Sequence, residues 1–219
     1  MIVRLINCTT SPEALCGTAA ALCTGYTGDP RDALRGALRS GHESIVEHAS
    51  FTFHVSGVSR VLLAQLTRHR LASFSVQSQR YCGADMRVVI PDSMCRPDLV
   101  DDIVTARRVV EDLYAKAVSL GVPEEDARYF TFQAGTTALV LTMNVRELRH
   151  FFSLRCCNRA QWEIRQLADE MLKICREAAP VLFSNAGPGC IRGACPERKP
   201  CGQPRKAWEW MNGDEGADS

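Results

Sequence analysis

Phe51-Thr52-Phe53-His54-Val55-Ser56-Gly57-Val58-Ser59-Arg60-Val61-Leu62-Leu63-Ala64-Gln65-Leu66-Thr67-Arg68-His69-Arg70 changes its period halfway along. Phe51, Phe53 and Val55 alternate with Thr52 and His54, the spacing of a strand with one buried face. Gly57 is expected to break that strand, after which Val58, Val61, Leu62 and Leu66 recur at helical spacing. Working outward, residues 1–9 read as a strand. Residues 12–23 read as a helix with Ser11 as N-cap and Pro12 at the first position. Asp29-Pro30 repeats that start signal for a helix that Gly41 ends. Further on, residues 87–90 suit a strand, 99–120 a long helix, and 123–132 another, with Glu124, Glu125 and Asp126 beside its positive end. Residues 136–142 are β-branched and apolar, a buried strand, and 144–155 and 160–178 read as helices. Strands and helices mix without regular βαβ alternation. The fold class expected is therefore α+β, a single domain with a mixed or antiparallel sheet flanked by helices.

Composition narrows the function. The chain has 219 residues, 46% hydrophobic and 23% charged, which is globular rather than disordered. Its net charge of +1 provides no overall field for nucleic acid or an anionic membrane, so any anion site must be local. No apolar run reaches roughly 18 residues, so no membrane span is expected. Met1-Ile2-Val3-Arg4-Leu5-Ile6 lacks a signal-peptide layout, and a cytoplasmic location is expected. Eleven scattered Cys then read mostly as reduced, packing thiols.

Chemistry-bearing residues concentrate in two places. In Arg68-His69-Arg70-Leu71-Ala72-Ser73-Phe74-Ser75-Val76-Gln77-Ser78-Gln79-Arg80-Tyr81, three Arg and three Ser offer forked guanidinium donors, hydroxyls and loop N–H groups to a phosphorylated ligand. Gln65, Arg68 and His69 share a helix face, and a cation cluster at a helix C-terminus also simply suits the helix dipole. The second place is residues 144–155. Leu148, Phe151, Phe152 and Arg155 fall at i, i+3, i+4 and i+7, so Arg155 extends an apolar stripe. Such an Arg is a structural ion pair, a snorkelling side chain, or a guanidinium aimed at a ligand. Arg146 and His150, at i and i+4, share a different face.

Arg68-His69-Arg70, seven residues, Ser78 and then Arg80 resembles the signature of the flavin-dependent thymidylate synthases. Four further pieces are similar to that family and come in its order: the segment from Gly41-His42-Glu43-Ser44 through Glu47-His48 to Phe53; Gly121-Val122-Pro123 with Ala127-Arg128; Asn144 to Arg155; and Ala160-Gln161-Trp162-Glu163-Ile164 after Arg155. The resemblance covers roughly residues 30 to 190. It implies conversion of dUMP to dTMP, with methylenetetrahydrofolate as carbon donor, FAD reduced by NADPH as hydride source, and tetrahydrofolate as product. It implies that Ser44, Arg68, His69, Arg70, Val76, Asn144, Arg146 and His150 contact FAD. It implies that Gln65, Leu66, Thr67, Arg68, Val76, Gln77, Ser78, Gln79 and Arg80 hold dUMP, with Val76 to Arg80 as a loop around its phosphate. Arg128 is expected to reach dUMP from another subunit of a homotetramer. Arg155 is expected to be catalytic by stabilising the uracil ring as it loses its N3 proton, because its pKa is too high for a base. Two positions depart from the family pattern: Val76 replaces a polar residue, so any contact there is from backbone, and Arg159 stands where His is common.

Other readings are weaker. Ser78 as nucleophile would need a base that its neighbours do not supply. Cys156 and Cys157 read as packing thiols. His42, Glu43, Glu47 and His48 lack the spacing of the zinc-protease motifs, and no metal is expected. Cys190, Cys195 and Cys201 could bind zinc with a fourth ligand from elsewhere, but they lack paired knuckles, so residues 189–219 read first as a flexible thiol-rich tail after a catalytic domain at 1–188. The alternative function is a single-stranded RNA-binding module using Arg68, Arg70, Phe74, Arg80 and Tyr81. Near-zero net charge and 7% aromatic content count against it.

Overall fold

The computed structural model describes residues 1–84 and 86–205. Its strands are β1 (Ile2–Cys8), β2 (Ser50–Ser59), β3 (Ala72–Val76) and β4 (Thr136–Asn144). Its α-helices, among the described residues, are α1 (Pro12–Thr24), α2 (Pro30–Arg39), α3 (Arg60–Leu66), α4 (Pro97–Ser119), α5 (Glu124–Ala127), α6 (Val145–Arg155) and α7 (Trp162–Ala178). The strands form one antiparallel sheet in the order β1-β2-β4-β3, so the class is α+β, as expected.

The chain divides into two compact units. The first comprises Met1–Ile2, His54–Arg68 and Phe74–Val140, and so holds α3, α4 and α5. Val55, Val58, Leu62, Leu66, Ala127 and Leu139 are its buried apolar residues among those described. The second comprises Val3–Phe53, His69–Ser73 and the described residues from Leu141 onward, and holds α1, α2, α6 and α7. Its core is aromatic. Phe183 meets Phe51 edge-on at 5.4 Å and Phe152 at 6.0 Å between ring centroids. Phe51, Phe151, Phe152 and Phe183 are fully buried, each stabilising the fold by about 2–3 kcal/mol through area removed from water.

Several local expectations need correction. Ser11 precedes α1 but makes no side-chain cap, because its φ of 47° and ψ of 57° are left-handed rather than the extended geometry of a capping residue. Gly57 does not end β2. Its φ of 69° is open to glycine, and the strand runs on to Ser59, so Val58 is a strand residue and the helix begins at Arg60. Residues 72–76, for which the sequence suggests no element, are strand β3, so Val76, expected as the first residue of a loop, lies in the sheet. The helix expected over 123–132 stops at Ala127 and continues only as a 3₁₀ turn, Arg128–Phe130. Residues 87–90 form an isolated bridge, Val88 with Gly135, rather than a strand.

Candidate active site

In the second unit the site is built along one face of α6. Asn144 ends β4, and its Oδ1 accepts the N–H of Glu147 at 2.9 Å, capping the helix. That cap places Glu147, Phe151 and Arg155 at i, i+4 and i+8 along one face. All three touch His69. His69 Nδ1 lies 3.1 Å from Glu147 Oε1, with only 4% and 6% of the two side chains exposed. Phe151 meets the imidazole edge-on at 4.9 Å. On the other ring nitrogen, Arg155 donates from Nε to His69 Nε2 at 3.0 Å. Among the described residues the Arg155 guanidinium has no other hydrogen-bond partner, so both Nη groups are uncommitted. His150 sits with its ring 6.2 Å from that of His69. Burial holds His69 below its ordinary pKa, opposed by the hydrogen bond to Glu147 and reinforced by the charge of Arg155. Burial likewise lowers the pKa of Arg155.

Ser44 is exposed at the start of the 3₁₀ turn Ser44–His48. Arg146 is exposed and paired with Glu47. Arg70 is exposed, and neither Arg70 nor Arg68 has a hydrogen-bond or ion-pair partner among the described side chains. The acids Glu43 and Glu47 pair with Arg149 and Arg146. Among the described residues no three His, Cys, Asp or Glu side chains are placed to hold a metal ion. A cavity of about 670 Å³ lies between the end of α6 and residues 188–205, with Arg155, Cys157, Cys190, Cys195 and Cys201 in its wall. Asn158 and Arg159 donate to the carbonyls of Gln203 and Lys199, and Arg205 donates to Cys156 O and Asp169 Oδ2, each at 3.0 Å. Residues 206–219 of the expected tail lie outside the described residues.

In the first unit the expected nucleotide residues cluster around a turn after β3. Gln77 N–H donates to Ala138 O at 2.9 Å, ending the pairing with β4. Ser78 Oγ then accepts the Arg80 N–H at 3.1 Å. Arg80 donates from Nε to Glu125 Oε2 at 2.6 Å, and Arg128 donates from Nε to the Glu125 carbonyl at 3.0 Å. Gly83 N–H donates to Glu124 Oε2. The acids at the start of α5 therefore anchor the turn. Gln79 is buried. Arg60, at the start of α3, has its pKa lowered by burial and by the charge of Arg128, so a third guanidinium belongs to this cluster. Gln65 bonds Val61 O along α3, and Thr67 caps onto Leu63 O at 3.0 Å. Leu66 is fully buried, so its side chain is core and only its backbone can reach a ligand.

Comparison with known proteins decides the family. The model of the family described as thymidylate synthase complementing protein matches residues 4–181. A flavin-dependent thymidylate synthase of Geobacter sulfurreducens is 44% identical over 214 residues, covering 90% of this chain and 91% of that protein. The chain belongs to the flavin-dependent thymidylate synthase family. A second synthase, from Nitratidesulfovibrio vulgaris, is 48% identical over 179 residues, covering 76% of this chain and 73% of that one. Among solved structures, a UMP/dUMP methylase of Streptomyces cacaoi bound with 5-Br dUMP aligns with TM-score 0.74 at 26% identity, covering 84% of this chain and 93% of that one. The Helicobacter pylori flavin-dependent thymidylate synthase complexed with FAD and dUMP aligns with TM-score 0.69 at 24% identity, covering 85% and 100%; it supports the fold.

Within this synthase, the structure brings His69, Asn144, Arg146, His150 and Arg155 together on and beside α6. It brings Gln77, Ser78, Gln79, Arg80 and Arg128 together around α5. Neither motif spacing nor periodicity pointed to Glu147, Arg60 or Glu125. Glu147 is only a polar letter inside a helix, and its partner His69 is 78 positions away. Its one local signal was the Asn144 cap three residues before it.

Proposed function

We propose that the chain converts dUMP to dTMP with carbon from methylenetetrahydrofolate, as its family implies. The observation that carries the reading is the Arg155 guanidinium, held at Nε by His69 with its Nη edge uncommitted. The uracil ring must become electron-rich at C5 to accept a carbon unit, and weakening its N3 proton does this. A preorganised guanidinium stabilises the charge that develops on the ring, while its own proton stays put.

The donor chemistry of this chain fits FAD, whose reduced form supplies the hydride when bound. Arg68 and Arg70 carry guanidinium groups with no acid partner among the described residues, suited to a pyrophosphate. Ser44, His69, Asn144, Arg146 and His150 would hold the rest, with Val76 contributing backbone only. Gln65, Thr67, Gln77, Ser78, Gln79, Arg80 and Arg128 would hold dUMP, with Ser78 donating a hydrogen bond rather than attacking. Arg60, Arg80 and Arg128 suit its phosphate, and Leu66 is left to the core. NADPH is the proposed reductant. A homotetramer is supported by apolar surface on the first unit: Tyr129, Phe130 and Leu120 are 79%, 70% and 73% exposed, and α4 buries none of its residues. A catalytic domain at 1–188 remains the proposed division, and residues 188–205 line a cavity together with the end of α6.

The test is anaerobic turnover of dUMP with methylenetetrahydrofolate, FAD and NADPH. Formation of dTMP that depends on FAD, falling about 10²–10³-fold in Arg155→Ala, is the expected result. Activity that survives the substitution would remove Arg155 from the chemistry.

A further inference from the structure

Arginine N–H groups only donate, so the His69 nitrogen that receives Arg155 Nε–H must carry a lone pair. That nitrogen is Nε2. A neutral imidazole then carries its proton on Nδ1, the less favoured position for a free histidine side chain. Nδ1 faces Glu147 Oε1 at 3.1 Å, and a carboxylate accepts that proton's hydrogen bond. The three groups are therefore consistent in only one arrangement: carboxylate, Nδ1–H imidazole, guanidinium. Phe151, edge-on at 4.9 Å, fixes the plane of the ring between them.

We propose that Glu147 is a positioning residue of the synthase reaction: it fixes the His69 tautomer and so aims the two Nη groups of Arg155 at the uracil ring. The proposal rests on the assignment of Arg155 above. It explains why a carboxylate is buried on α6 at all. Burying Glu147 is costly unless its charge is hydrogen-bonded, and an apolar residue of similar volume would pack at least as well. The geometry of its own helix supports the role. Glu147 and Arg155 lie two turns apart on α6, and His69, from a different segment, bridges them like a strut. The low pKa of His69 agrees, since protonating Nε2 would put two donors face to face.

The experiment uses the full chain, loaded with FAD, in two arms. In the first, histidine is labelled with ¹⁵N and the five histidines are assigned by single replacement. At pH 7 wild-type His69 is expected as the neutral Nδ1–H tautomer. An Nε2–H tautomer or an imidazolium there would overturn the proposal without any variant being made. In the second, Glu147→Leu removes the acceptor and Glu147→Gln retains an amide oxygen that can accept from Nδ1–H. The expected order is Gln near wild type and Leu lower by about 10²-fold in kcat, the cost of a misaimed catalytic group, with the His69 tautomer lost in Leu and kept in Gln. A merely structural role predicts the reverse, with Leu as active as Gln or more so, and that outcome would sink the proposal. If the wild type forms no dTMP, the activity itself falls, and Glu147's part in it, whatever the tautomer. If an active wild type shows the wrong tautomer, only the positioning role falls.

Discussion

Arg149, on the buried side of α6, donates from Nε to Glu43 Oε1 at 3.0 Å across 106 positions of sequence. Its other two arms are equally committed, Nη1 to the Leu182 carbonyl at 2.7 Å and Nη2 to Asn185 Oδ1 at 2.8 Å. The side chain is 2% exposed, whereas Glu43 is 30% exposed. Arg149 thus ties the segment before the Ser44–His48 turn and the chain after α7 to one helix. Burial lowers the pKa of its guanidinium, and the charge of Glu43 works against that.

Arg149→Met should therefore be strongly destabilising although it replaces a charge with an apolar side chain. It strands the buried Leu182 carbonyl and takes the partner from a half-shielded carboxylate. The expected loss is about 3 kcal/mol, read as a lower urea midpoint with an unchanged slope. A shift worth less than about 1 kcal/mol would show that water or a neighbour replaces the guanidinium.

These buried ions mark where reading the sequence stops. β2, β4, α6 and α7 were legible because Phe51, Phe53 and Val55, or Leu148, Phe151 and Phe152, keep one period and are buried as that period demands. β3 was not. Ala72-Ser73-Phe74-Ser75-Val76 alternates, but with small and hydroxyl residues that suit a loop equally well, and only pairing with β4 makes it a strand. The break after Ala127 also escaped notice, since the acids of α5 are spent on Arg80 and Gly83 rather than on prolonging a helix. At the site, resemblance named the candidate ligand residues. It did not name Glu147, whose purpose depends on a contact 78 positions away.

His69 makes stability depend on pH with a definite sign. Its pKa in the folded chain is lowered from 6.5, by burial first and by Arg155 and His150 as well, with Glu147 opposing. Below about 6.5 the unfolded chain binds a proton that the native chain refuses. The stabilisation is therefore complete above that value and is lost as pH falls through the folded pKa. Urea midpoints compared at pH 7.5 and 5.5 should fall on acidification by less in His69→Gln than in wild type. Equal falls in the two proteins would mean that His69 is not held neutral in the native state.

Arg80 provides a prediction in which binding and stability separate. Its pair with Glu125 is half exposed, 51% and 46% for the two side chains, and exposed pairs contribute little to folding. The unfolding midpoint of Arg80→Ala should lie close to that of wild type. The proposed phosphate contact is different, because a charge-assisted hydrogen bond to a ligand is worth about 1.5–3 kcal/mol, equivalent to roughly 10- to 100-fold in affinity. The KM for dUMP should rise by that factor, with kcat changed far less, since the phosphate is held alike in ground and transition states. Raising the salt concentration should weaken dUMP binding in wild type more than in the variant. An unchanged KM would move the phosphate away from the turn that α5 anchors, and a kcat that collapses while KM holds would place Arg80 beside the reacting ring instead.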